Sequence, residues 1–310
     1  MALENRYREQ VRLLVSLLPF VDDEPCFALK GGTAINFFVQ PLPRLSVDID
    51  LVFLPLLPRD EALRQCSAVL QRMTRQMAAR LPGVQVDLRQ QRPDEQRALV
   101  RRGGVQVKIE ISPVLRGTLH PPDRLDVVGE VEQEFGFAAV RVVSLPDLYG
   151  GKICAALDRQ HPRDLFDVGL LLEADGLDRR VFEGFLVYLL SHPRPMHELL
   201  LPRWKPLDQV YLAEFAGMSR AEMSLARLDE SRRVLLQKLS AWMSADDARF
   251  LLSFKRGEPE WSLFPVKGVK HLPAIQWKLV NIRKMKPEKH RHSLQRLEYA
   301  LEVFLKGQPM

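Results

Sequence analysis

The stretch that decides the fold is LKGGTAINFFVQPLPRLSVDIDLVFL, residues 29–54, in which a Gly-Gly-Thr turn precedes an Asp-Ile-Asp motif. The apolar residues around that motif predict a buried strand over residues 46–54. Because side chains alternate faces along a strand, Asp48 and Asp50 are expected to share one face while their apolar neighbours face the core. Two such carboxylates repel each other and lose hydration, which is costly unless a cation lies between them. The motif therefore predicts a divalent metal site that holds a nucleoside triphosphate.

The glycine turn predicts the phosphate side of that site. Gly31 and Gly32 let the backbone approach a phosphate closely, and the short helix predicted over residues 33–39 offers free N–H groups at its start. Thr33 can donate its hydroxyl to a phosphate oxygen. The alternative interpretation is an ordinary strand-to-helix turn, followed by a strand end at which the aspartates pair with Arg44.

A third acidic candidate lies in VQVKIEIS, a strand predicted over residues 105–112. Its valines and isoleucines line the core face, so Lys108 and Glu110 line the other. Beside the Asp-Ile-Asp pair, Glu110 would complete a metal site of three carboxylates. The alternative interpretation is a solvated outer face, on which Lys and Glu are common.

Two predicted helices, over residues 145–159 and 163–173, carry the remaining candidates. Lys152 lies on the first, and Asp164 and Asp167, three residues apart, share a face of the second. A lysine can neutralise charge that develops on a triphosphate, and an aspartate can orient the lysine or accept a proton from an attacking hydroxyl. The alternative interpretation is a salt-bridge network in which nearby arginines pair with the aspartates and lock the two helices together.

Strand signals nearly vanish after residue 145, which divides the chain into two predicted domains. Residues 1–144 are expected to form a mixed α/β domain and residues 145–310 a nearly all-α domain, so the fold class is α+β. The polar, arginine-rich residues 89–103 predict a hairpin loop. Strands are further predicted over residues 84–88 and 138–143, and helices over residues 4–18, 60–80, 179–191, 220–243, 245–256, 271–284 and 293–306.

Charge and cysteine content narrow the class of partner and the compartment. The net charge is +6, and residues 267–306 contain ten Lys or Arg against three Glu. That basic tract favours a nucleic-acid partner, with a solvated helix face as the alternative interpretation. Three widely spaced cysteines and the lack of a run of ~20 apolar residues predict a reduced, cytoplasmic protein that does not enter a membrane.

The order GGT, R-x-S-x-DID, K-x-E and K-x-x-A…R…RDLFD, within residues 30–172, resembles the AbiEii/AbiGii toxin group of the nucleotidyltransferase superfamily. The resemblance implies a polymerase-β-like catalytic fold with a helical C-terminal domain. It implies Mg²⁺-dependent transfer of a nucleotide from a nucleoside triphosphate, by a toxin of abortive-infection type that is encoded with an antitoxin. For the tRNA-modifying members it implies addition to the tRNA 3′ end, which blocks translation.

The resemblance also implies roles for individual residues. Asp167 would be the acid of the fourth motif, with Asp164 as the competing choice. The candidate catalytic residues are Asp48, Asp50, Lys152, Asp167 and Asp164. The candidate metal ligands are Asp48, Asp50 and Glu110. The candidate nucleotide-binding residues are Lys30, Gly31, Gly32, Thr33, Arg44, Ser46 and Lys152.

Two other functions stay open at this point. A nucleotidyltransferase that modifies a protein hydroxyl or a small molecule would need the same metal and triphosphate site. A catalytically inactive member could bind RNA or a partner protein, but such a protein has no reason to keep two unneutralised aspartates on a buried strand.

Overall fold

The computed structural model describes residues 2–92, 95–112, 115–221 and 223–307, and the chain forms two compact units. All strands in these ranges belong to the first unit, so the chain is α+β. The units comprise Met1–Ser144 with Phe215–Glu222, and Leu145–Glu214 with Met223–Met310.

The first unit is built on a mixed sheet of seven strands. They are β1 (Phe27–Lys30), β2 (Asp48–Phe53), β3 (Gln85–Arg92), β4 (Glu95–Arg102), β5 (Val105–Ser112), β6 (Asp123–Asp126) and β7 (Ala139–Val142). Their order across the sheet is β3-β4-β5-β2-β1-β7-β6. Strand β2 lies at the centre, antiparallel to β1 and parallel to β5. The helices of this unit are α1 (Ala2–Asp22), α2 (Gly31–Ala34), α3 (Arg59–Arg80) and α4 (Gly129–Phe135).

The alternation predicted for the Asp-Ile-Asp strand is confirmed. Ile49 and Leu51 are fully buried, whereas Asp48 and Asp50 are partly exposed. Helix α2 begins directly after β1 and continues as a π-helical turn over Ile35–Val39. The central strand therefore presents both aspartates on one face of the sheet, close to the turn that leaves β1.

One prediction for the first unit is wrong, and two of its elements were not predicted. Residues 89–103 are mostly strand, because β3 and β4 form a long antiparallel hairpin and β4 also pairs with β5. Backbone pairing on both sides holds β4 extended although the local sequence is polar. The tip of that hairpin, residues 93–94, lies outside the described residues. Strand β6 and helix α4 were not predicted, since β6 is a short strand of mostly exposed residues without an apolar alternation.

The second unit contains helices only, within the described residues. They are α5 (Leu145–Asp158), α6 (Pro162–Glu173), α7 (Arg179–Ser191), α8 (Met196–Leu200), α9 (Asp208–Glu214), α10 (Leu225–Trp242), α11 (Ala245–Arg256), α12 (Pro273–Arg283) and α13 (Pro287–Leu305), with two short 3₁₀ turns before α12. Helix α10 begins later than predicted, because the Ser224 side chain caps it by accepting a hydrogen bond from Arg227 N. Helix α13 begins earlier, with Pro287 at its first position.

A close helix crossing fixes α5 in the second unit. A Cβ on Gly150 would lie 2.5 Å from the carbonyl carbon of Gly184, so the backbones of α5 and α7 touch where neither has a side chain. This contact positions the helix that carries Lys152. None of the helices in the described part of the chain is long and apolar enough to span a membrane.

Candidate active site

A row of charged side chains crosses four neighbouring strands of the first unit. Lys30 of β1 lies in register with Asp50 of β2, and Asp50 with Glu110 of β5. Glu110 in turn lies in register with Arg97 of β4. Residues in register share a face of the sheet, so the row reads plus, minus, minus, plus. The expected proximity of Asp50 and Glu110 is confirmed. Arg97 was missed because its segment was predicted to be a loop.

Glu110 is neutralised by two cations. Lys108 Nζ lies 2.8 Å from Glu110 Oε2 and 4.0 Å from Asp48 Oδ1, and Arg97 Nη2 donates to Glu110 Oε1 at 3.2 Å. Although burial acts to raise the pKa of Glu110, Lys108 and Arg97 lower it below its usual value. The predicted metal site of three carboxylates is not formed. No group of three His, Cys, Asp or Glu side chains that could hold a metal ion occurs in the parts of the chain that the structure describes.

The pKa of Asp50 is shifted in the opposite direction from that of Glu110. Loss of hydration raises the pKa of its carboxyl, Lys30 opposes that rise, and Asp48 adds to it. The pKa of the neighbouring Lys108 is raised as well. Burial would lower it, but the carboxylates of Asp48 and Glu110 outweigh burial. The pair Asp48 and Asp50 offers the carboxylate oxygens that Mg²⁺ prefers, and a divalent cation would remove the cost of ionising Asp50. These residues fit a metal ion.

The two glycines of the turn are required by close approach. Gly31 has a φ of +77°, and a Cβ there would lie 2.6 Å from Asp50 Oδ2. A Cβ on Gly32 would lie 2.6 Å from Arg44 Nη2 and 3.2 Å from Ser46 Oγ. The turn was predicted to need glycine for close approach to a phosphate, which stays a prediction; within the protein, the close approach is to Asp50, Arg44 and Ser46. The turn, Arg44 and Ser46 form a small cradle beside Asp50.

Hydrogen bonds hold the parts of the cradle together. The buried Thr33 hydroxyl donates to the backbone oxygen of Asp48 at 2.5 Å and lies 2.9 Å from Ser46 Oγ. Arg44 is buried and forms a backbone bridge with Ser219, which belongs to the same unit. The side chain of Lys30, at the N-cap of α2, makes no capping hydrogen bond. Thr33 thus joins the start of this helix to the start of β2.

A second cluster of candidate residues lies in the second unit. Lys152 Nζ lies 2.9 Å from Asp164 Oδ1 and 3.0 Å from Asp167 Oδ2, and all three side chains are buried. Arg159 donates two hydrogen bonds to Asp164, from Nε to Oδ2 at 2.5 Å and from Nη2 to Oδ1 at 2.8 Å. The sequence correctly grouped Lys152 with both aspartates. The alternative prediction of an arginine–aspartate pair across the two helices is also confirmed.

The cations decide the ionisation of Asp164. Burial acts to raise its pKa, but Lys152 and Arg159 hold that pKa well below its usual range. Sequence reasoning missed His161, which caps α6 by accepting a hydrogen bond from Arg163 N at 3.1 Å and lies 3.0 Å from Glu214 Oε2. A histidine directly before Pro162 at a helix start is the signal that could have identified this cap.

Comparisons with known proteins agree with this chemistry. The profile of the family described as nucleotidyl transferase AbiEii toxin, type IV toxin–antitoxin system, matches residues 12–281, well over half of the chain. Among solved structures, MenT4, a nucleotidyltransferase toxin from Mycobacterium tuberculosis H37Rv, is similar with a TM-score of 0.61 at 15% identity. The alignment covers 89% of this chain and 93% of that one, and at this identity it shows a shared fold. No curated protein sequence matches significantly.

Proposed function

Since this chain belongs to the AbiEii nucleotidyltransferase toxin family, we propose that it transfers a nucleoside monophosphate from a nucleoside triphosphate to the 3′ end of tRNA in a Mg²⁺-dependent reaction. The chain is a nucleotidyltransferase toxin of a type IV toxin–antitoxin system, and the family implies an antitoxin partner. We further propose that tRNA is the acceptor, that Mg²⁺ is the metal, that the chain acts in the cytoplasm, and that individual residues have the roles given below.

One observation carries the proposal: two aspartates share a sheet face against a glycine turn that admits no side chain. The 2.6 Å approach of a hypothetical Gly31 Cβ to Asp50 Oδ2 means that a phosphate lying on this turn would be next to the carboxylates. Two acidic oxygens and backbone N–H groups at one point suit a triphosphate with its counterion.

A metal held by Asp48 and Asp50 would stabilise the negative charge on the attacking and leaving oxygens of the transfer. The protein's own groups bind and orient the donor. The turn N–H groups of Gly32 and Thr33 would donate hydrogen bonds to phosphate oxygens, and the guanidinium of Arg44 would balance the charge of those oxygens. Phosphoryl-type transfer needs little covalent help from protein, so this positioning supplies much of the rate.

The buried cluster of the second unit is proposed to serve the same reaction. Lys152 would neutralise charge on the triphosphate, as the family resemblance implies, and its two aspartates would orient it. Asp164 accepts hydrogen bonds from both Arg159 and Lys152, which suits a role in positioning Lys152. We assign the acid of the fourth motif to Asp167, and we keep Asp164 as the residue that holds Lys152 in place.

The test is incubation of the purified chain with total tRNA, Mg²⁺ and each α-labelled nucleoside triphosphate in turn, read on a denaturing gel. We expect label in the tRNA band with at least one donor. Asp48→Asn should abolish it, whereas Asp123→Asn should retain it, because Asp123 is an exposed aspartate on the edge strand β6.

The outcomes separate the candidate acceptors. Label in tRNA that persists in Asp48→Asn would contradict the site assignment. Label that enters protein or a small molecule but never tRNA would overturn the acceptor and leave the nucleotidyltransferase assignment intact. Removal of the 3′-terminal nucleotides of the tRNA should abolish labelling if transfer is to that end.

A further inference from the structure

Lys108 lies among the carboxylates of the central strands in the first unit. In the parallel pair of β2 and β5, Asp48 is in register with Lys108 and Asp50 is in register with Glu110. All four side chains therefore lie on one face of the sheet. Lys108 Nζ lies 2.8 Å from Glu110 Oε2 and 4.0 Å from Asp48 Oδ1. The ammonium is thus within ion-pair distance of a carboxylate on each of the two strands.

A cation held by carboxylates of two neighbouring strands lies where a second metal ion would have to bind. The two ions of a two-metal site lie about 3.5–4 Å apart, so the second must be close to the ligands of the first. If Asp48 and Asp50 hold the first ion, Glu110 is the further carboxylate that β5 offers on the same face. The ammonium of Lys108 pairs with that carboxylate and with Asp48, and it would repel a divalent ion placed between them.

Both oxygens of Glu110 are engaged, but its two cations approach from different sides. Lys108 contacts Oε2, and Arg97 Nη2 donates to Oε1 at 3.2 Å. Arg97 reaches Glu110 from β4, which lies on the side of β5 that is away from β2. The side chains of Lys108, Glu110 and Arg97 are 30%, 26% and 21% exposed, so water and salt screen these pairs less than pairs on the open surface. Glu110 therefore holds Lys108 beside Asp48.

The two neighbours of β2 offer different groups to the site. Strand β1 lies on one side and ends at the glycine turn on which the triphosphate is proposed to lie. Strand β5 lies on the other side and carries Lys108. A phosphate bound by a metal ion at Asp48 and Asp50 would have backbone N–H groups on the β1 side and an ammonium on the β5 side. The protein thus provides positive charge on the side that the glycine turn does not cover.

We propose that Lys108 takes the place of a second metal ion, so that the chain binds one divalent ion, at Asp48 and Asp50. The inference rests on the proposed function in that these two aspartates are taken as the metal ligands. Lys108 balances charge on the bound phosphate, since an ammonium is a compact point charge with three hydrogen-bond donors. Glu110 is then a positioning residue for Lys108 and not a metal ligand.

The test is the number of Mn²⁺ ions bound per chain, measured from the loss of the free Mn²⁺ signal in electron paramagnetic resonance. Mn²⁺ is the probe because it prefers the same carboxylate oxygens as Mg²⁺. Ions that stay bound after Asp48→Asn and Asp50→Asn are combined lie elsewhere and are subtracted. We expect one ion in the wild type and two in Lys108→Met, because methionine removes the ammonium and leaves Glu110 open towards Asp48. Adding Glu110→Gln to Lys108→Met should return the number to one.

Arg97→Met is the matched control. It removes a cation from the same carboxylate, but it leaves the ammonium of Lys108 between Glu110 and Asp48. We expect Arg97→Met to bind one ion, as the wild type does. Two ions in both Arg97→Met and Lys108→Met would mean that the total positive charge near Glu110, and not the position of Lys108, limits metal binding. That result would overturn the inference.

The wild type and the variant each give a result that can contradict the inference. Two ions in the wild type, or one ion in both the wild type and Lys108→Met, would overturn it. Circular dichroism checks folding, and Lys108→Gln, which keeps a polar side chain on this partly exposed strand, repeats the measurement if Lys108→Met unfolds. Equal Mn²⁺ binding in the wild type and in the chain with both aspartates replaced would overturn the inference together with the metal assignment.

Failure of the proposed function would look different, because the labelling of tRNA is a separate measurement. If the chain labels no tRNA but binds one Mn²⁺ ion, and Lys108→Met binds two, the role of Lys108 stands and the acceptor assignment fails. If tRNA is labelled and Asp48→Asn abolishes the label, but Lys108→Met still binds one ion, the proposed function stands and the inference fails.

Discussion

Each unit of the molecule holds a pair of aspartates, and the pKa of one member, Asp50 in the first unit and Asp164 in the second, is shifted in opposite directions. In the first unit, loss of hydration raises the pKa of Asp50, with Asp48 adding to the rise. In the second unit, burial acts on Asp164 in the same direction, but Lys152 and a neighbouring arginine lower its pKa. Loss of hydration acts in the same direction on Asp50 and Asp164, so the opposite signs of their pKa shifts come from the cations within reach.

That difference separates a site that needs a ligand from a network that is already satisfied. The protein supplies the counter-charge of Asp164 and Asp167 itself, which makes them part of a fixed scaffold for Lys152. It leaves Asp50 less compensated, although Lys30 and Lys108 lie near. A carboxylate whose pKa is raised in this way is suited to bind a cation from solution.

The largest expected effect is on catalysis. Asp48→Asn or Asp50→Asn should reduce nucleotide transfer about a thousandfold, because each removes an oxygen ligand that stabilises charge in the transition state. Neither change should lower the urea midpoint, since each relieves repulsion between two carboxylates. A loss of transfer accompanied by unfolding in both variants would contradict this account.

The next effect is on stability and is specific to the second unit. Lys152→Met leaves two buried carboxylates without their shared cation and should lower the free energy of unfolding by about 3–5 kcal/mol. Lys238→Met, which breaks an ion pair with Asp175 at 2.7 Å on the exposed surface, should cost less than about 1 kcal/mol. Equal losses in urea unfolding would mean that the buried cluster is not the scaffold described above.

A third experiment sharpens the comparison at the glycine turn. Gly31→Ala should reduce transfer about a hundredfold, because the added Cβ displaces the Asp50 carboxylate from its position. Gly104→Ala is the control, since that residue has a similar φ of +82° but open space around it. Both variants should lose about 1 kcal/mol of stability from the strained backbone. Only Gly31→Ala should lose transfer, and equal transfer in the two variants would count against the close approach.

The smallest effect is in the dependence of stability on pH. An acid with a raised pKa binds its proton more tightly in the folded state, so the wild type should gain stability relative to Asp50→Asn as pH falls through that pKa. The gain should be complete below the ordinary value of 3.8. Asp164 has the opposite sign, because its lowered pKa gives stability above its ordinary value that is lost in stronger acid. Urea unfolding of both proteins in a metal chelator measures the difference, and a wild type that loses stability relative to Asp50→Asn on acidification would contradict the prediction.

The sequence predicted the parts of the site that depend on local periodicity. The shared face of Asp48 and Asp50 follows from strand alternation, and the shared face of Asp164 and Asp167 follows from helix spacing. These rules hold within one element whatever it packs against. The turn glycines were also singled out, because a Gly-Gly pair directly before a predicted helix is a local signal.

The missed features depend on pairing between distant segments. Arg97 reaches Glu110 only because β4 pairs with β5, and no local pattern in the polar residues 89–103 indicates that strand. The neutralisation of Glu110, and with it the failure of the predicted three-carboxylate site, follows from that pairing.

The most direct test of the account is Mg²⁺ binding by isothermal titration calorimetry to the wild type, Asp50→Asn and Asp164→Asn, with folding checked by circular dichroism. The account predicts that Asp50→Asn weakens Mg²⁺ binding at least about tenfold. It predicts that Asp164→Asn, if folded, binds as the wild type does, because Asp164 is already neutralised within the protein. Equal Mg²⁺ affinity in the wild type and Asp50→Asn would contradict the claim that the central strand holds the metal.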